Sequence, residues 1–156
     1  MLVPFRTFEE IEKEALRFLT QYNPNKTIPV PIEEIVEFDI AVNIFPTHRL
    51  RERINVEGFI TSDLKMLYVD ENVMKRYPNR YRFTLAHEIA HWYLHKDYIS
   101  STTVNNPDEW KTINFNRPPE EHRKLEFQAN EFAGRILVPS LALSRSVTNV
   151  NIKLGE

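Results

Sequence analysis

Five residues near the middle of the chain, His87-Glu88-Ile89-Ala90-His91, join two imidazoles and a carboxylate at a spacing that matters chemically. On an α-helix, positions four apart stand one turn above each other on one face, so His87 and His91 can aim at a single point. Two such ligands are what a tetrahedral zinc needs first. Glu88 lies about 100° round the helix from His87, placed to reach a water on the metal without coordinating it. Two histidine ligands and one glutamate general base form the zinc metallopeptidase arrangement. The composition gives roughly 0.02 chance matches to this pattern, so helical context must decide its meaning.

That context is present. In residues 82–95, RFTLAHEIAHWYLH, Leu85, Ile89 and Trp92 fall at i, i+4 and i+7, and Phe83, Ala86, Ala90 and Leu94 widen the apolar surface. Such a pattern predicts a mostly buried helix, started at Pro78-Asn79 and unbroken to residue 95. Two imidazoles and a carboxylate buried there without a shared partner would be costly, which favours a metal over ordinary core histidines.

A catalytic zinc needs a third protein ligand and an open position. The second strong helix, opened by Pro118-Pro119-Glu120-Glu121, offers Glu126, Glu131 and His122. Glu126 and Asn130 are i, i+4 neighbours beside the stripe Leu125, Ala129, Phe132, Ala133 and Ile136, so Asn130 could support a ligand by hydrogen bond. Glu131 falls about 140° away from Glu126. His122 shares a face with Glu126 and suits a supporting role or the polarising of a substrate carbonyl. Spacing alone leaves these candidates open. His95, four residues past His91, has drifted a further 40° or so round the helix; it reads as a histidine interacting with the helix C-terminus. The longer H-E-x-x-H-x-x-G-x-x-H pattern fails, because Leu94 and Asp97 stand where its Gly and third His belong.

Around these helices the chain reads as one α+β domain spanning 1–156. Thr7-Phe8-Glu9-Glu10 is a capping box opening a helix with a stripe from Phe8 to Tyr22. Pro31 starts a short helix through Ile32, Ile35 and Val36. Ile40–Phe45 reads as a strand closed by Pro46, and GFIT at 58–61 and MLYV at 66–69 read as a hairpin. The expected sheet is small and antiparallel, with about three strands packed on the His87 helix and its neighbours. Asp70–Tyr77 reads as a short helix. The charged stretch from His48 to Glu57, carrying Arg49, Arg51 and Arg53, reads as a solvated loop or edge strand. Residues 96–117, rich in Ser, Thr, Asn and Pro, read as one long loop, and 140–156 as a weakly patterned tail.

With 156 residues, 42% hydrophobic and 27% charged, the composition is that of a globular domain with a core of its own. A net charge of −2 and a pI near 6.2 give no pull toward nucleic acid or anionic membranes, so no direct nucleic-acid partner is expected. The absence of cysteine excludes thiolate metal sites, disulfides and cysteine nucleophiles. Neither a signal-like apolar run at the N-terminus nor an 18-residue apolar stretch occurs, so a cytoplasmic, non-membrane protein is expected.

The zinc helix, the preceding GFI…MLYVDE hairpin and the later EFQANEFAGRILVP segment together resemble the ImmA/IrrE family of bacterial and phage metallopeptidases. The likeness runs from about residue 8 to Pro139. It implies His87, His91 and Glu126 as ligands of one zinc or other divalent ion, the gluzincin arrangement, with Glu88 as catalytic base acting on a metal-bound water. It also implies a protein substrate such as a helix-turn-helix transcriptional repressor, whose loss releases mobile-element or stress genes. No helix-turn-helix segment is read in this chain, so such a repressor would be a separate protein. The expected function is thus a zinc-dependent endopeptidase; the competing expectation is a non-catalytic metal-binding module that regulates a partner by contact.

Overall fold

The computed structural model describes residues 2–140; the expected tail beyond residue 140 lies outside them. Helix α1, Phe8–Tyr22, starts as its capping box requires: the Thr7 hydroxyl accepts from Glu10 N–H and the Glu10 carboxylate from Thr7 N–H. Ile11, Ala15 and Phe18 face inward. After a connector, α2 covers Ile32–Glu34 and loosens into a π-helical turn, Ile35–Asp39, closed by the Ile40 N–H on the Ile35 carbonyl at 2.9 Å.

Strand β1, Asn43–Thr47, is followed by α3, Leu50–Ile54, and by the hairpin of β2, Gly58–Ile60, and β3, Met66–Asp70. The sheet order is β1-β3-β2. The hairpin is antiparallel as expected, but β1 runs parallel to β3, pairing Asn43 with Met66 through Thr47 with Asp70. The sheet is therefore mixed rather than wholly antiparallel. Side-chain alternation is the same whichever way a neighbour runs, so the apolar pattern could not reveal the direction. β1 also extends through Pro46, which an edge strand tolerates because no neighbour needs its missing N–H.

Two charged or polar stretches prove helical. Residues 50–54 form α3 between left-handed Arg49 and Asn55, with Leu50 and Ile54 buried. The expected 96–117 loop instead holds α6, Lys96–Ser100, and α7, Pro107–Asn116. The Asn106 side chain caps α7 by accepting from Glu109 N–H at 3.0 Å, and Pro107 sits in its first turn. These are recognised start signals, but α7 has no buried residue, so no apolar period accompanied them.

Helix α4, Glu71–Arg76, is capped by Asp70 and leads directly into α5, Pro78–Leu94. The last described helix is α8, Pro119–Leu137. α5 crosses α8, and α1 packs on α8 behind the crossing. Phe18, Tyr93 and Phe132, one from each helix, meet with ring centroids 5.4 to 5.6 Å apart. This contact lies in the main core and fixes the axial register of α5 against α8. A smaller cluster of Leu50, Ile54, Phe59 and Val104, with Trp110 and Ile113 against it, holds α7 against α3 and the Phe59 side chain of β2. No helix among the described residues is long and apolar enough to cross a membrane.

Candidate metal centre

α5 is buried on more than one side, and its two functional faces use that. His87 and His91, one turn apart, face α8, while Glu88, a third of a turn away, faces β2. The α5–α8 crossing brings Glu126 to the two histidines. His87 Nε2 and His91 Nε2 are 3.1 Å apart, and the Glu126 carboxylate oxygens lie 3.2 Å from the first and 3.6 Å from the second.

A tetrahedral zinc with ligands near 2.05 Å would separate its donor atoms by about 3.3 Å, so the three spacings suit such an ion. Among the described residues, His87, His91 and Glu126 form the group of donors able to hold a metal, all within 4.8 Å of one another. Glu131 is engaged elsewhere, with Arg135 at 3.8 Å, and His122 lines the adjoining cavity rather than joining the three. Asn130 supports the cluster as its spacing suggested: His87 Nδ1 lies 2.9 Å from its Oδ1.

The electrostatics follow from burial and proximity. Burial pulls the His87 imidazole down, but the Glu126 hydrogen bond, the Glu88 and Glu126 charges and Asn130 outweigh it and raise the group to about 9. Burial pushes Glu126 up, yet the hydrogen bond from His87 and the closeness of both imidazoles hold it well below the usual carboxylate range. Both shifts describe one ion pair. Glu88, 7% exposed, is raised by burial against the opposing pull of His87 and His91. The Ile60 N–H faces its carboxylate and opposes the rise.

That last contact follows from strand alternation. Thr61 N–H donates to Met66 and Asp70 N–H to Glu57, so residues 57, 59 and 61, in and beside β2, address β3. Gly58 and Ile60 then turn their backbone groups outward, toward α5. Gly58 permits the close approach: a Cβ there would lie 2.9 Å from Thr84 Cγ2, 3.0 Å from the Tyr68 carbonyl oxygen and 3.5 Å from Glu88 Cγ.

His87, Glu88, His91 and Glu126 open onto one cavity of about 550 Å³. Phe59, Val104, Trp110 and Leu125 give it an apolar wall; Glu57, held by Arg80 and Thr84, stands at its side. His122 Nδ1 and Arg117 Nε are buried without a hydrogen-bond partner, and both residues line this cavity. Tyr93 packs against Phe18 and Phe132 in the core. His95 is not a simple helix-end histidine. It is 3% exposed and hydrogen-bonded to His91 and Gln128, and burial lowers it to about 3. Neither Gln128 nor the outward N–H of Ile60 was legible from spacing.

A chain that sets a buried glutamate beside two histidines and a carboxylate on crossed helices has the architecture of a metallopeptidase. It matches the family of the IrrE N-terminal-like domain, Peptidase_M78, over residues 37–149, and belongs to that family. The family implies peptidase activity and therefore protein substrates. Among curated proteins no relative matches the chain.

Proposed function

We propose that the chain is a zinc-dependent endopeptidase that cleaves a specific protein, such as a helix-turn-helix repressor, with His87, His91 and Glu126 as metal ligands and Glu88 as general base. The observation that carries the reading is the convergence of three ligand atoms beside a buried glutamate that takes no part in the cluster. A purely structural site has no use for that fourth group. The family and the resemblance support the choice of substrate class.

Zinc, when bound, supplies Lewis-acid polarisation of the scissile carbonyl and lowers the pKa of a coordinated water toward 7. The remaining work falls to side chains. Glu88, its pKa raised by burial and its carboxylate near the Ile60 N–H, takes a proton from the attacking water and returns it to the leaving amine. The outward backbone groups of Gly58 offer a strand-like substrate a main-chain hydrogen bond beside Glu88. His122 and Arg117 line the same cavity, where their side chains can turn toward a substrate oxygen. The apolar wall of Phe59, Val104 and Trp110 takes a side chain flanking the scissile bond.

The test is Glu88→Gln, which keeps side-chain size and leaves both imidazoles in place. Labelling of new N-termini in host lysate should show cleavage products with the parent and at least a hundredfold fewer with the variant, while zinc content stays at about one ion. Equal biological effect of parent and variant on the partner would instead establish regulation by contact.

A further inference from the structure

His91 Nδ1 faces a second imidazole rather than a carboxylate or a carbonyl: it lies 3.0 Å from His95 Nδ1. Two ring nitrogens at that distance share one proton, and the surrounding network determines which ring carries it. The sequence of constraints starts at Pro4. A carbonyl only accepts, so the Gln128 atom 2.8 Å from the Pro4 oxygen is the amide nitrogen, donating. The other end of that amide is then an acceptor, and Gln128 Oε1 lies 3.0 Å from His95 Nε2, which donates its N–H. His95 is buried, and its two ring nitrogens meet Gln128 and His91 rather than a carboxylate. A neutral ring with its proton on Nε2 has a bare Nδ1. His95 Nδ1 therefore accepts, His91 Nδ1 donates, and His91 Nε2 is left as a lone pair facing His87 and Glu126.

We propose that the Pro4 carbonyl, Gln128 and His95 form a hydrogen-bonded relay that locks His91 in the Nδ1–H tautomer, making His95 and Gln128 positioning residues for the metal centre. The proposal rests on the reading of His91 as a ligand. His87 has no equivalent lock, because the Asn130 amide at its Nδ1 can turn either end toward it. The relay also ties the site to the N-terminal segment. Val3 is buried there, and Arg6 Nη2 donates to the Leu94 carbonyl at the end of α5, at 3.4 Å.

Two measurements test this. Long-range ¹H–¹⁵N correlation spectra of the metal-free wild-type protein read each ring's tautomer directly. His91 should carry its proton on Nδ1 and His95 on Nε2; a His91 proton on Nε2 overturns the proposal whatever the variants do. Zinc affinity, read by competition with a chromogenic chelator, should fall about 10- to 100-fold in His95→Phe and in Gln128→Leu. His95→Asn, whose Oδ1 replaces the accepting Nδ1, should recover most of the loss. Parental zinc affinity in His95→Phe with a lowered melting temperature would mark a merely structural residue and overturn the relay, as would His95→Asn binding as weakly as His95→Phe. A wild-type protein that bound no divalent metal would remove the metallopeptidase reading, and the tautomer spectrum would still decide the hydrogen-bond relay.

Discussion

Metal binding to this site should expel a proton, and the structure gives the size of the effect. With the His87 imidazole raised to about 9, the metal-free protein at pH 7 holds that ring protonated, Nδ1–H toward Asn130 and Nε2–H toward Glu126. The extra proton occupies the space between the ligand atoms, where a cation would sit. A metal must displace it. Two units below the pKa, that competition weakens apparent affinity about 100-fold, or about 2.7 kcal/mol. Calorimetry of zinc binding at pH 7 in buffers of different ionisation enthalpy should therefore count about one proton released per ion. Apparent affinity should rise about tenfold from pH 7 to 8 and level off above about 9. The same shift acts on folding. A group raised from 6.5 to about 9 on folding contributes stability that is fully present below 6.5 and lost as pH rises through about 9. The ceiling is about 3 kcal/mol, and it is shared with Glu126 rather than added to that residue's own shift. Denaturation of the metal-free protein should show this decline across pH 6.5 to 9. Zinc binding at pH 7 without proton release, together with flat stability over that window, would show that His87 is neutral there and refute the ion-pair argument.

Other outcomes follow from the same geometry. Glu126→Gln should weaken zinc binding as well as activity, since a neutral amide is a poorer ligand than a carboxylate, whereas Glu131→Gln, whose carboxylate faces Arg135, should leave chelator-competition affinity unchanged. Gly58→Ala forces a methyl to within 2.9 Å of Thr84 and 3.0 Å of a backbone oxygen; it should cost about 1–3 kcal/mol in denaturant unfolding and reduce turnover by tilting β2 away from Glu88. Phe132→Ala empties the contact shared by α1, α5 and α8 and should cost about 3–5 kcal/mol, measured by the same unfolding assay.

The helices with a buried stripe were readable because burial imposes a period. α1, α5 and α8 each carry one, and their ends carry recognisable signals: the Thr7 box, Pro78 and Pro119. What failed to show were elements whose order comes from elsewhere. α7 buries nothing fully and is held by Trp110 leaning on Phe59 and by Ile113 against the same small cluster, a contact made across some fifty residues of sequence. α3 is too short for a period, and left-handed Arg49 and Asn55 bound it without a glycine to mark either end. The direction of β1 depends on which neighbour it joins, and that is a property of the assembled sheet.

The site divides along the same line. His87, Glu88 and His91 lie on one helix, so spacing alone fixes their relative directions. Glu126 needs the angle and register of a second helix, which the Phe18–Tyr93–Phe132 contact sets in the core, two residues past His91 on α5 and six past Glu126 on α8. Gln128 lies about 200° round α8 from Glu126, on the packing side of the helix, and it is 1% exposed. It reaches the candidate metal centre only because each turn of α5 carries its histidines about 40° further round, so that the third, His95, leaves the face of His87 and His91 and turns into the core beside it. In the proposed relay, the drift that takes His95 off the ligand face is what would let it serve a ligand: a histidine on that face could compete for the metal, while one turned inward can hold the far nitrogen of its neighbour.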